Sequence, residues 1–147
     1  MSGTLSHSPA VILARLLIGL GLGTAPDGTD ASWQVFETSE PDRPDECLTV
    51  SDTAGRDHGR TSPDGLRHAH EGVQVRVRSR THDAGWAKAQ AVALALDAVS
   101  NAVASVGASS YTVVAAVRTA PVLSLGADPA SRRRLFTVNA LLALTAL

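Results

Sequence analysis

Cysteine, lysine and aromatic residues are all scarce in this chain of 147 residues. A single cysteine, Cys47, excludes an internal disulfide and fits a reducing compartment such as the cytosol. Because Cys47 opens the predicted strand CLTVSD (47–52), a small buried apolar side chain is favoured over a nucleophile. Two Trp, one Tyr and two Phe leave the core mainly to Ala, Val and Leu, which bury less area than rings do. We therefore expect the chain to gain burial by associating with copies of itself.

Neither sign of charge dominates the whole chain, whose formal net charge is −1. Residues 1–75 carry five Arg against eleven Asp or Glu, whereas residues 76–147 carry eight Arg or Lys against three Asp. An acidic half and a basic half suit self-association or docking on charged partners. Two solvated surfaces without a partner explain the same asymmetry equally well.

The sequence has no uninterrupted apolar run long enough to cross a membrane. In PAVILARLLIGLGLGTA (9–25), Arg15 interrupts the apolar residues and no basic cluster precedes them, which argues against a signal peptide. The leucines repeat at helical spacing, and Ser8 followed by Pro9 provides an N-cap and a first-turn proline. This segment predicts an amphipathic helix of a protein without a membrane partner.

Sequence signatures of catalysis and cofactor binding are also missing. There is no G-x-S-x-G nucleophile motif, and GLGLG (19–23) ends a helix instead of linking a strand to one, so no phosphate loop is predicted. His68 and His70 would point the same way on a strand, but no further ligand stands at metal-binding spacing, although His58, Asp57 and Asp64 are near. We expect no enzyme activity, no metal and no cofactor.

The remaining patterns predict a single α+β domain over 1–147, with a mainly antiparallel sheet, two helices packed on it and the order α-β-β-β-α-β-β-β. The segment 53–71 has no apolar periodicity and is predicted to be a long exposed loop. The helices are predicted at 9–20 and 82–106, with Asp83 as the N-cap and Gly107 as the C-cap of the second. The strands are predicted at 32–38, 47–52, 72–80, 109–120, within 121–130, and from 132 onward.

The strand EGVQVRVRSR (71–80) alternates valines with polar residues. Such a period of two predicts one dry and one wet face, with Val73, Val75 and Val77 in the core. Arg76, Arg78 and Arg80 would then form a row on the wet face. In the following helix, the predicted core stripe includes Val92, Leu96 and Val99.

Three stretches together resemble the tail terminator proteins of long-tailed bacteriophages, also described as minor capsid or minor tail proteins. They are PDRPDECLTVSDTAG (41–55), GVQVRVRSRTHDAGWAKAQAVALALDAV (72–99) and RRRLFTVNALL (132–142). The resemblance implies an α/β domain that assembles as a hexameric ring at the head-proximal end of the tail. It also implies that the ring stops polymerisation of the tail tube protein and presents a surface to head completion or connector proteins. Such a protein belongs to the virion, is assembled in the cytoplasm of a bacterial host and is not an enzyme.

The resemblance also suggests roles for particular residues. The row of Arg76, Arg78 and Arg80 is expected to face either a subunit interface or a central channel that DNA crosses transiently and without sequence specificity. At an interface, its partners would be carboxylates of the acidic segment 37–46 of the next copy. Those carboxylates are Glu37, Glu40 and Asp42. The long loop is expected to dock on other virion proteins; its candidate residues are Arg56, His58, Arg60, His68 and His70.

Three other interpretations stay open at this level. The chain is alternatively a head–tail connector or completion protein of the same neck, or a small oligomeric module that binds nucleic acid. Because no aromatic residues are interleaved with the arginines, such binding would contact only the backbone. The third is an enzyme with a His/Asp site in 53–71. The apolar end ALLALTAL (140–147) departs from the family pattern and is a strand, a helix or a segment buried against a neighbour.

Overall fold

The computed structural model describes residues 5–60 and 67–146. It confirms the predicted α+β class, with two helices on a mainly antiparallel sheet. The elements in chain order are α1 (Pro9–Gly19), β1 (Gln34–Glu37), β2 (Cys47–Arg60), β3 (Arg67–Ser79), α2 (His82–Asp97), β4 (Ser100–Val106), β5 (Ser109–Arg118), β6 (Leu123–Ala127) and β7 (Arg134–Ala146). No helix among these described residues is long and apolar enough to span a membrane.

The sheet has the strand order β1-β2-β3-β7-β5-β4. Among the strand pairs of the described residues, only β1–β2 is parallel. One edge of β7 pairs with β3, and the other edge is shared end to end by two strands. β6 pairs with residues 134–137 of β7, and β5 pairs with residues 140–146. The apolar end of the sequence is therefore a strand up to Ala146.

Helix α1 begins where the sequence predicts it. The Ser8 side chain accepts a hydrogen bond from the Val11 amide at 3.4 Å, and Pro9 occupies the first turn. The Asp52 carboxylate from β2 accepts a second one, from the Ala10 amide at 2.9 Å. Because α1 contacts β4 at one end of the sheet and β1 to β3 at the other, the sheet curls around this helix.

Helix α2 packs on β3, β5 and β7, so both helices cover the same face, called the inner face below. Its N-cap is Thr81 and not Asp83, because the Thr81 hydroxyl accepts from the Ala84 amide. Gly85 lies against the Phe136 ring of β7. Five of the residues expected in the core are buried: Val73, Val75, Val77, Val92 and Leu96. The sixth, Val99, is partly buried.

The predicted second helix over 82–106 is too long, because α2 ends at Asp97 and β4 follows from Ser100. Four strands therefore follow this helix. Asn101 adopts a positive φ of 50°, which asparagine tolerates but a continuing helix does not. Beyond it, burial alternates with a period of two, with Ala104 and Val106 buried between exposed neighbours. Gly107, expected as a helix cap, lies in the β4–β5 turn with φ 59°.

The expected loop over 53–71 is replaced for the most part by strands. The β2–β3 ladder continues to the pair Arg60–Arg67, while β7 accompanies β3 only from Glu71 onward. The hairpin therefore extends past the sheet as a two-stranded ribbon. In this ribbon β2 and β3 pair with each other, and its sequence shows no apolar alternation. The rest of the expected loop, 61–66, lies outside the described residues.

Candidate functional site

An acidic connection crosses the face of the sheet opposite the helices, called the outer face. This connection, residues 38–46 between β1 and β2, is called the strap. Successive residues of a strand point to opposite faces of the sheet. The residues next to the core residues of β2 and β3 therefore lie on the outer face: Cys47, Thr49, Arg76 and Arg78. Cys47, Thr49 and Arg78 are nevertheless buried, and the strap that contacts Arg78 supplies the cover.

Arg78 holds the strap through backbone carbonyls. Its Nη1 donates to Pro41 at 2.6 Å, and its Nη2 donates to Pro44 at 2.6 Å and to Asp42 at 3.2 Å. Its Nε donates to the Asp45 carbonyl at 3.3 Å. With only 4% of its surface exposed, Arg78 is not on a solvated face, and that expectation is wrong for this residue. The planar guanidinium fork suits it to organise several oxygens at once.

The carboxylates that face the arginine row belong to the same chain. Glu40 lies between two guanidinium groups, 3.4 Å from Arg76 Nε and 3.7 Å from Arg78 Nη1. The more exposed Arg80 pairs with Asp45 at 2.9 Å. Glu37, expected beside the same row, pairs instead with Arg15 of α1 at 2.9 Å. Within one copy, the row is therefore paired with carboxylates of the same chain, and its expected place at an interface or a channel stays a prediction.

Arg133, in the turn before β7, is a further part of this site. Its Nη1 donates to the Asp42 carbonyl at 2.6 Å and lies 3.4 Å from Asp45 Oδ1. Its Nη2 lies 3.5 Å from Asp42 Oδ1, while most of that carboxylate stays in solvent. The triplet Arg132–Arg134 is visible in the sequence as a basic cluster, but nothing local indicates which of the three reaches the strap.

The space beneath the strap is buried and lined by polar groups. Burial raises the pKa of the Cys47 thiol, and the positive charge of Arg78 opposes this only in part. Within the described residues, three buried polar atoms there have no hydrogen-bond partner: Glu40 Oε1, Thr49 Oγ1 and Arg76 Nε. Charges at 3.4–3.7 Å thus attract one another without forming good hydrogen bonds.

The expected docking residues all lie on the β2–β3 ribbon. Arg56 pairs in register with His70, and Arg60 pairs with Arg67. The side chains of Arg56, His58, Arg60 and His68 are outside the described part, so their expected role stays a prediction. In the part of the chain that is described, no three His, Cys, Asp or Glu residues are grouped so that they could hold a metal ion.

The other half of the outer face is apolar and uncovered. Val117 of β5 pairs with Leu141 of β7, and Leu123 of β6 pairs with Thr137, so these side chains share the outer face. Val114 lies beside them at a bulge of β5. Val117 is 58% exposed and Leu123 is 45% exposed. The four residues Val114, Val117, Leu123 and Leu141 are called the bare sheet face.

Comparisons with known proteins bear on the family of the chain. No protein with a curated description matches this sequence significantly. One solved structure, described as "Virion of native gene transfer agent (GTA) particle", contains a chain that is 18% identical, with a TM-score of 0.46. The alignment covers 88% of this chain and 84% of that chain. The model of the family described as "Bacteriophage tail terminator protein" matches residues 16–145, and the chain therefore belongs to the bacteriophage tail terminator family.

Proposed function

We propose that this chain caps the tail tube of a phage or phage-like particle as a ring of six copies and joins the tube to the head connector. The observation that carries the proposal is the family match, which extends over nearly the whole fold, residues 16–145. A terminator acts by shape and contact, so it needs surfaces held in a fixed conformation and no reacting groups.

The strap fits this role as a preorganised contact surface. Arg78 and Arg133 fix its backbone through five hydrogen bonds to carbonyls, and its Asp42 carboxylate remains in solvent. Rigid surface loops lose little entropy on binding, which favours affinity. In this proposal the arginine row contributes by holding the strap against the sheet, and only Arg76 and Arg80 keep exposed surface for a neighbour or for DNA.

The test is polymerisation of the tail tube protein from the same particle with and without this chain. Light scattering gives the mass of the purified protein, and negative-stain images give tube length and the appearance of tube ends. We expect a ring of six on tube ends and an arrest of growth. Tubes of unchanged length with bare ends would contradict the proposal, and so would binding to the head connector alone. An unrelated protein of similar size and charge serves as the control.

A further inference from the structure

We infer that the bare sheet face of one copy packs against the exposed face of α2 of the next copy, so that copies join head to tail. This inference rests on the proposed function, because it assigns the contact that would build the ring. It commits to a second copy of this chain as the occupant of the bare sheet face. Other virion proteins are the competing occupants that the experiment must separate.

The first half of the contact is an apolar area that the chain itself leaves open. Edge and face residues of β-sheets are normally covered or charged in proteins that stay monomeric. The strap covers only the half of the outer face over β2 and β3. Over β5 and β6, Val114, Val117 and Leu123 of the bare sheet face meet solvent. Leu141 of β7 is half-buried.

The second half is the solvent side of α2, called here the outer helix face. Its apolar residues are Trp86, Ala87 and Leu94, with the C-cap residue Ala98 beyond them, and they fall on one side of the helix at helical spacing. Gln90 and Asp97 lie on the same side. Leu94 is 66% exposed and Trp86 is 41% exposed. The two alanines between and beyond them are small enough to let a flat sheet approach closely, while Trp86 is the residue type most enriched at the centres of interfaces.

The two areas lie on opposite sides of the molecule. Helix α2 packs on the inner face of the sheet, where Gly85 lies against Phe136, so its solvent side points away from the outer face. Trp86 lies at the border of that side, because its ring centroid is 6.2 Å from that of Phe136. A contact between two different, opposed patches is heterologous. Such contacts generate a closed ring or an open filament and not a two-fold dimer. The proposed function requires a closed ring.

The charges around the two areas are complementary. The outer helix face carries the fully exposed Asp83, whose Oδ1 lies 3.8 Å from His82 Nδ1. The bare sheet face is bordered by Arg76, which lies in the same row as Thr137 and Leu123. Arg132, in the exposed turn that joins β6 to β7, has no ion pair among the described residues. Approach of the two areas brings a carboxylate toward guanidinium groups, which favours the correct orientation.

The experiment uses two single variants, Val117→Glu on the sheet and Leu94→Glu on the helix. Each side chain is more than half exposed, so we expect both variants to fold, as checked by circular dichroism and thermal melting. Each variant alone should raise the concentration for half-assembly by at least about tenfold, because a buried unpaired carboxylate would lie in the contact. Leu20→Glu is the matched control, because Leu20 is 48% exposed and lies outside both areas.

Mixing the two variants makes the test specific for a head-to-tail contact. Each variant keeps the face that the other has lost, so a one-to-one mixture should form heterodimers by sedimentation and no rings. Leu123→Glu replaces Val117→Glu if the latter unfolds.

Four outcomes overturn the inference. Rings that persist in both variants show that the contact lies elsewhere, while the proposed function stands. A folded mixture that stays monomeric rules out the head-to-tail pairing. Rings that persist in Val117→Glu but no longer bind tubes assign the sheet face to the tube protein. A wild-type chain that forms no ring, with or without tubes, overturns both the inference and the proposed function.

Discussion

Arg78 Nη2 donates a 2.6 Å hydrogen bond to the carbonyl oxygen of Pro44, 34 residues away in the chain. Three more carbonyls of the strap accept from the same buried guanidinium. Arg78→Lys keeps the charge but cannot serve four oxygens at once. We expect the free energy of unfolding to fall by about 2 kcal/mol, and by about 3 kcal/mol or more in Arg78→Ala. Urea denaturation measures both.

The control for this prediction is Arg80, two residues further along the chain and just beyond the end of β3. Arg80 pairs with Asp45 at 2.9 Å, but 68% of its side chain is exposed. Exposed pairs contribute little, so Arg80→Lys and Arg80→Ala should each change the free energy of unfolding by less than about 1 kcal/mol. Equal losses at Arg78 and Arg80 would show that the strap carbonyls do not stabilise the fold.

Gly85 is a glycine inside a helix, where alanine is normally better by about 1 kcal/mol. A β-carbon at this position would collide with the Phe136 ring and would lie 3.1 Å from Ser79 Cβ. Overpacking of this kind costs about 1–3 kcal/mol, so we expect Gly85→Ala to lower the melting temperature. Gly19→Ala should raise it slightly, because nothing lies within 4 Å of the added carbon. Shifts of the same sign in both variants would exclude close packing of α2 on β7.

The buried thiol predicts a pH dependence. Burial raises the pKa of Cys47 above its ordinary value of about 8.5. Above that pH the unfolded chain loses the proton while the folded chain keeps it. The contribution of Cys47 is therefore complete below about pH 8.5 and is lost as the pH rises, by at most about 1.4 kcal/mol per pH unit.

Cys47→Ala is the comparison that isolates this effect. Burial lowers the pKa of Lys88, which gives the opposite slope in the same alkaline range and is common to both proteins. We expect the stability of the wild type to decline relative to Cys47→Ala between about pH 8.5 and 10. Parallel curves would show that the thiol ionises as readily in the folded chain as in the unfolded one.

Asp52 caps α1 from a neighbouring strand, at 2.9 Å from the Ala10 amide. The first turn of α1 has no acidic residue of its own. The negative charge of Asp52 therefore supplies the favourable interaction with the positive end of the helix dipole. Asp52→Ala should lower the free energy of unfolding by about 1 kcal/mol and Asp52→Asn by less. Asp83→Ala, at the start of α2, should have a smaller effect because Thr81 already caps that helix. The reverse order would disprove the cap.

Local patterns in the sequence were sufficient for α1 and for the centre of β3. Ser8 and Pro9 mark the start of α1, and the valines of β3 alternate as a strand with one buried face requires. The end of α2 was not predictable in the same way. Val99 and Val103 continue the helical spacing of the preceding stripe, so the pattern does not distinguish a longer helix from the strand that follows it.

The candidate site depended on contacts that no local pattern shows. Alternation places Arg78 opposite the core, which is correct, but predicts solvent where the strap actually lies. The strap that covers Arg78 lies more than 30 residues before it in the chain. Arg133, which also binds the strap, lies 55 residues after Arg78. Composition identified an acidic and a basic half, and the structure pairs much of their charge within one copy.

The position of β7 has a consequence for how the chain is made. Every other element precedes β7 in the sequence, yet β7 joins the β2–β3 hairpin to the β4–β5 hairpin and also pairs with β6. During synthesis both hairpins leave the ribosome before the strand that unites them. Each hairpin therefore carries an unpaired edge until translation reaches β7, and the native sheet forms only after that step.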